Sequence, residues 1–320
     1  MTAVPAPVLP GQGEQPDVLV AVVTYNSAEI LAPFLHALPA ALAGAGTATV
    51  VVVDNDSADG TAALARELAP WATVLEAGGN FGYAAGINQA LDVTPARRGT
   101  YVLNPDAVPS PGSVDVLARA AELDPGIGIT VPRIIAEDGS LKPSLRREPT
   151  VGRALGEAVL GGRRASRFTA LGEMVTDVRS YTDGAEADWA TGAAMFLTPR
   201  ALAAAGRWRE DYFLYSEETD YALRVRDAGL SLRLVTGAEV VHPGGDMAVS
   251  PQLWSLATVN RTRLYRSRHG RTRSAAFWLA VLLNEGVRAL LGRPTHREAA
   301  RALVLGLRPH PSWPTSVTTG

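Results

Sequence analysis

The 320-residue sequence contains no cysteine. That excludes a disulfide framework, a thiolate metal site and a cysteine nucleophile. Lysine is nearly absent too: Lys142 is the single one among 30 basic side chains. Mechanisms needing two lysines are thereby excluded, and with no Gly-Lys pair there is no P-loop. No G-x-G-x-x-G opens a helix after the first strand-like run, so the dinucleotide fingerprint is missing as well. A large charge of one sign is also lacking. The net charge is -2, which provides no electrostatic footprint for a nucleic-acid partner. Long apolar runs are absent; the stretch 275–283 is too short to span a bilayer. The opening "MTAVPAPVLPGQGEQP" has neither a basic start nor an uninterrupted apolar core, so residues 1–16 read as a flexible tail and not a signal peptide. The expected location is cytoplasmic, with peripheral contact on the inner face of the cell membrane left open.

What is present is a folded-protein composition, 47% hydrophobic and 19% charged. Continuous apolar, β-branched runs at 18–23 and 49–54 read as buried strands, and 72–77 and 101–104 read as a third and a fourth strand. Helical stretches separate them: from Ser27, a plausible N-cap, to about 43, then about 60–69 and 83–92. This alternation predicts an α/β fold with a mostly parallel sheet. Beyond 110 the rhythm loosens. A strand is expected over 126–134 and an irregular, loop-like stretch over 150–180. An extended segment follows over 187–198, then a helix over 217–229 and short strands at 232–235 and 239–242. From 251 the chain reads as helical, ending in a Pro-rich tail.

In open α/β sheets, ligands bind beyond the carboxyl ends of the strands. The polar clusters fall there: Thr24-Tyr25-Asn26, Asp54-Asn55-Asp56, Gly79-Asn80 and Asn104-Asp106. Asp54 could accept the imide N–H of a uracil or thymine ring. Asp106 could hold a hard cation that neutralises a diphosphate. Each cluster also has a plainer reading. "NPD" before "PSPG" is good turn chemistry, Asp54 to Ser57 could cap a helix, and glycines serve any tight turn.

Seven segments in order resemble the family 2 glycosyltransferases of the GT-A fold, and among them a bacterial rhamnosyltransferase-like branch. They are "VVTYNSAEILAPFLHAL", "VVVDNDSADGT", "GGNFGYAAGINQAL", "YVLNPDAV", "DWATGAAMFLTPRAL", "YFLYSEETDYALRVRDAG" and "EVVHPGG", spanning about 18 to 245. The resemblance implies a nucleotide-sugar site of Thr24, Tyr25, Asn26, Asp54, Asn55, Gly79, Asn80, Gly86 and Asn104. It implies Mg2+ or Mn2+ at Asp106, with His242 as a further ligand; Asn104 stands where the family motif usually has its first carboxylate. Glu217, Glu218 and Asp220 match the acidic motif. Glu218 is the preferred base, and Glu217 or Asp220 could contact a metal or acceptor. The first turn of a helix favours ionised carboxylates, although acidic residues also occur there for stability alone.

Trp189, Gly192 and Arg146 are candidates for the acceptor or sugar site. Trp208 and Arg147 are weighed equally between the site and the core or surface. The implied division is 17–110 for the nucleotide-sugar half, 111–245 for the acceptor-binding and catalytic half, a helical C-terminal extension over 246–308, and a tail over 309–320. The implied activity is an inverting transfer from dTDP-rhamnose or a UDP sugar onto a saccharide or a polyprenyl-diphosphate-linked saccharide. Six arginines in 260–273, followed by apolar 275–283, read either as a membrane-surface segment or as a helix docked on the domain. A sugar nucleotidyltransferase and a non-catalytic nucleotide-sugar module are the alternatives. The first lacks its Gly-rich loop here, and the second would be expected to lose Asp106 or Glu218. Donor, acceptor, linkage and oligomeric state stay open.

Overall fold

The computed structural model describes residues 6–244 and 250–307. Residues 1–5 and 309–320 of the expected tails lie outside the described residues. So do residues 245–249 and 308, including the second glycine of "HPGG".

The first half alternates as its pattern predicts: β1 (Val18–Thr24), α1 (Ala28–Ala41), β2 (Ala48–Asp54), α2 (Thr61–Leu68), β3 (Thr73–Glu76), α3 (Tyr83–Leu91) and β4 (Gly99–Leu103). β1 pairs in parallel with β2 and β4, and β2 with β3. Every residue of β1 is buried because helices cover both faces. Val18, Val20 and Val22 pack with Leu31, Phe34 and Leu35 of α1. Leu19, Ala21 and Val23 join the opposite core with Ile87 of α3. Period-two alternation thus feeds two cores, each large side chain contributing about 1.5–3 kcal/mol.

The second half adds β5 (Val108–Pro109), α4 (Ser113–Leu123), β6 (Ile127–Ile135), β7 (Leu145–Arg146), α5 (Val151–Leu160), α6 (Gly162–Ala165), β8 (Glu186–Ala187), β9 (Trp189–Ala190), β10 (Ala194–Leu197), α7 (Pro199–Ala205), α8 (Glu217–Asp227) and β11 (Ser231–Val241). The main sheet has nine strands, ordered β3-β2-β1-β4-β10-β6-β11-β5 with β8 on β11. β10 runs antiparallel to both β4 and β6, so one reversed strand joins the two halves. β7 and β9 form a separate two-stranded sheet pairing Arg146 with Trp189.

Three expectations change. The stretch 150–180 is not wholly irregular: it contains α5 and α6, and α5 packs on the C-terminal helices, a partner no local pattern reveals. The two short strands at 232–235 and 239–242 are one strand, β11, with a register shift between Val235 and Glu239. Ser27 occupies the N-cap position of α1 but its side chain caps nothing. Asp59 Oδ2 instead accepts the Ala28 N–H at 2.9 Å.

The C-terminal helices are α9 (Pro251–Arg268), α10 (Arg271–Leu290) and α11 (Pro294–Leu305). Buried Glu285 of α10 accepts from Trp254 Nε1 at 2.9 Å and lies 2.7 Å from His296 Nδ1, tying the three together. Asn260 of α9 donates to the carbonyls of Tyr212 at 2.7 Å and Leu214 at 3.0 Å. Those bonds clamp the extension onto the segment that precedes α8.

Candidate active site

At the carboxyl ends of β1 and β2 the polar residues bond mainly to one another. Asp54 is 2% exposed and accepts from Thr24 Oγ1 at 2.9 Å, from the Ser57 amide at 2.9 Å and from Ser57 Oγ at 2.6 Å. Asn26, at φ 49°, accepts from the Ala58 amide at 2.9 Å. Asn55 donates to the Gly82 carbonyl at 3.1 Å, and its Oδ1 has no partner among the described residues. Tyr25 is exposed beside them. Asn80 accepts from the Gly82 amide at 3.2 Å. Gly79 leaves room for the exposed Phe81 ring, and Gly86 lets α3 approach Val23: a Cβ there would fall 2.6 Å from its side chain.

Asn104 begins the next layer. A turn closed by the Ala107 N–H to Asn104 O bond at 3.1 Å presents Asp106, with Pro105 setting its backbone. Asp106 Oδ2 lies 3.2 Å from Nε2 of His242, which follows the end of β11. Lys142, the one lysine, holds that end by donating to the carbonyls of His242 and Pro243. Asn104, Asp106 and His242 all line a cavity of about 570 Å³.

Glu217 and Glu218 form another wall of the same cavity. The residues before α8 adopt left-handed backbone: Phe213 at φ 64°, Tyr215 at 68° and Ser216 at 78°. Non-glycine residues bear such strain where the surroundings impose it, commonly at functional sites. Each glutamate has one carboxylate oxygen, Oε2, buried without a partner among the described residues. Burial, and then the like charge of Glu218, pushes Glu217 well above the usual carboxylate range. Burial likewise pushes Glu218 up to about 7, against the pull of amides at the helix start and of Arg146. A carboxyl near 7 suits proton acceptance at neutral pH. Asp220 is elsewhere: two positions along a helix turn a side chain by about 200° from Glu218. It pairs with Arg224 at 2.7 Å and is not among the cavity-lining residues.

Gly192 and Trp189 line the cavity too. A Cβ on Gly192 would sit 3.3 Å from Glu218 Cβ, so glycine makes room for that side chain. Trp189 Nε1 donates to the Arg147 carbonyl at 3.0 Å. The Arg146 guanidinium lies 5.8 Å from the Trp189 ring centroid and donates to the carbonyls of Pro143 and Leu145. Arg147 is occupied by the carbonyls of Gly172 and Met174. Trp208 belongs to the core, stacked on Tyr221 at 4.4 Å.

Sequence reasoning missed several lining residues. Tyr83, within the quoted "GNFGYAAGIN", donates to the Gly192 carbonyl at 3.2 Å. Its hydroxyl is held well above its ordinary range by burial and then by Glu217, Glu218 and Asp106. Glu157, Glu173 and Arg261 close the far end, where Arg261 of α9 reaches both glutamates. Burial raises the Glu173 carboxyl. Glu157 and Glu173 come from segments that carried no motif, and Arg261 from the basic run 260–273, whose pattern does not single it out.

Residues 19–174 match the family described as "Glycosyl transferase family 2". The chain is 33% identical over 239 residues to the N-acetylglucosaminyl-diphospho-decaprenol L-rhamnosyltransferase of Mycobacterium tuberculosis, covering 71% of this chain and 76% of that one. The chain belongs to the family 2 glycosyltransferases. A more distant relative, 23% identical over 235 residues, is the low-salt glycan biosynthesis hexosyltransferase Agl10 of Haloferax volcanii, with 71% of this chain and 67% of that one covered. Among solved structures, a mannosyltransferase of Pyrobaculum calidifontis in complex with GDP-Man and Mn2+ aligns with TM-score 0.53 and 18% identity, over 94% of this chain and 84% of that one. GalNAc-T7 with UDP, GalNAc and Mn2+ aligns with TM-score 0.55 and 12% identity, over 79% of this chain and 48% of that one. These likenesses establish the GT-A fold of this glycosyltransferase. Among its described residues no cluster of three or more His, Asp or Glu side chains could hold a metal. Asp106 and His242 supply two donors on one cavity wall, which fits a hard cation that takes its remaining oxygens from a diphosphate and water.

Proposed function

We propose that this glycosyltransferase moves a sugar, with inversion, from a nucleotide diphosphate donor onto a saccharide carried on a polyprenyl diphosphate, as a step of cell-wall or polysaccharide biosynthesis. The observation that carries the reading is Glu218, a carboxylate near 7 with one unpartnered oxygen, on the wall that also holds Asp106 and His242. Glu218 takes the proton of the acceptor hydroxyl as its oxygen attacks the anomeric carbon. The bond from that carbon to the diphosphate breaks, and the diphosphate leaves with the electron pair. Attack from the far face inverts the configuration, by the stereochemical logic of inverting hydrolases. Asp106 and His242 would hold Mg2+ or Mn2+, which supplies charge neutralisation for the leaving group. Burial and the neighbouring Glu218 charge raise Glu217 well above the usual carboxylate range, which disfavours a second negative charge beside Glu218.

Thr24, Tyr25, Asn26, Asp54, Asn55, Gly79, Asn80 and Gly86 shape the base and ribose end within 17–110. Residues 111–245 carry acceptor binding and catalysis, with Trp189 and Arg146 against the acceptor. The relative named for rhamnosyl transfer to a diphosphate-linked lipid supports rhamnose as the sugar; the donor is then dTDP-rhamnose, with a UDP sugar as the other choice. A lipid-carried acceptor would bring the chain to a membrane surface; no helix among the described residues is long and apolar enough to cross one.

The test is a screen of nucleotide-sugar turnover with Mg2+ and with Mn2+. Asp106→Ala is expected to cut metal-stimulated turnover by about a hundredfold or more while the fold survives. Full turnover in that variant would remove Asp106 from the metal site.

A further inference from the structure

Among the described residues, the C-terminal helices carry exposed apolar side chains. On α10, Phe277, Ala280 and Val281 are buried against neighbouring helices. Leu279, Leu283, Val287, Leu290 and Leu291 are 41–90% exposed. Spacings of four and three place those five on one stripe about 18 Å long. Val304 and Leu305 at the end of α11 are exposed as well, and α11 packs along α10. The end of α5 joins them: Arg288 of α10 donates to the Glu157 carbonyl at 2.9 Å, bringing exposed Val159 and Leu160 alongside, with exposed Phe168 after them.

The charge around this surface is mostly positive. Arg163, Arg164 and Arg167 follow α5, Arg271 and Arg273 open α10, and Arg293 and Arg297 flank the start of α11. All seven are exposed, and none forms an ion pair among the described residues. The acids in 159–168 and 271–305 are Glu285, which is buried, and Glu298. Two other arginines of the basic run 260–273 are engaged instead: Arg261 with Glu157 and Glu173, Arg268 with Asp227.

We infer that this face docks on an anionic bilayer, with the α10 stripe and the ends of α5 and α11 among the acyl chains and the arginines at the headgroups. An apolar face rimmed by unpaired arginines matches the chemistry of an interfacial helix. A second copy of the chain is a poorer occupant, because a two-fold contact would bring the same arginines together. The docking gives the lipid-carried acceptor proposed above its route to the cavity and rests on that reading for its purpose.

Vesicle flotation of the full chain is the test. Binding is expected to equimolar phosphatidylglycerol and phosphatidylcholine, weakened by salt, and not to phosphatidylcholine alone. Leu283→Glu with Leu291→Glu is expected to lower the bound fraction about tenfold or more, with the melting temperature and donor turnover in solution unchanged. Three results would overturn the inference: wild type unbound to the anionic vesicles, the double variant bound as wild type, or self-association in solution that the same pair abolishes. Donor turnover measured without vesicles tests the glycosyl-transfer reading separately, so either can fail alone.

Discussion

Two regions of the molecule treat their carboxylates in opposite ways. At the ends of β1 and β2, Asp54 is almost wholly buried yet takes three donors from Thr24 and Ser57. At the start of α8, Glu217 and Glu218 sit in the cavity wall with an orphaned oxygen each and raised pKa values. A satisfied buried carboxylate rigidifies a loop, whereas an unsatisfied one raises the energy of its charged form and so holds a proton-accepting group near neutrality. The β1–β2 end is built as a scaffold, whereas the start of α8 leaves its carboxylates unpaired in the cavity wall.

Replacing the base should break this contrast most strongly. Glu218→Gln is expected to lower transfer about 10²–10⁴-fold with donor binding kept, measured by single-turnover assay and calorimetry. Unchanged transfer would place the base elsewhere. The same variant should gain stability. A carboxyl raised in the folded state contributes fully below its unfolded value of 4.5, and that contribution is lost as pH rises through about 7. Removing it should therefore raise the unfolding free energy above pH 7, by an amount on the order of 3 kcal/mol, and leave it unchanged near pH 4.

The wild-type pH profile sharpens the comparison next. Transfer should climb roughly tenfold per unit below about 7 and level off above it, since the base must be ionised. A profile flat from pH 5 to 8 would deny Glu218 its role. Asp54→Ala should act through structure instead. Leaving the Thr24 and Ser57 donors unpaired costs about 1–3 kcal/mol of stability, read as a lower denaturant midpoint, with the pH profile unmoved. The smallest effect is expected at Gly192→Ala. Its Cβ would crowd Glu218 at 3.3 Å and reduce transfer several-fold, with stability nearly unchanged.

Much of the fold was legible because its signals are local. Doubly buried strands announce themselves as β-branched runs, and each polar strand end marks the sheet edge where ligands gather. Asn104, Asp106, Glu217, Glu218, Trp189, Gly192, Arg146 and His242 were named from the sequence, and the structure gathers them on one cavity. Asp220 was named with them, yet the helix turns it toward Arg224. Tyr83 stood inside a quoted motif, but its place on the cavity wall depends on its bond to the Gly192 carbonyl, a partner 109 residues away that no local pattern names.

What the sequence alone determined was the strand and helix rhythm of residues 18–103 and the order of the polar strand ends. Those follow from burial periodicities of two and about 3.6 residues, which neighbouring residues carry by themselves. Only the tertiary structure decided that β10 enters reversed between β4 and β6. Only it brought Arg261 of α9 to Glu157 and Glu173 at the cavity wall, and separated Trp189 from Trp208. These outcomes depend on pairing between segments distant in the chain, and no local pattern encodes which distant partner covers a given face.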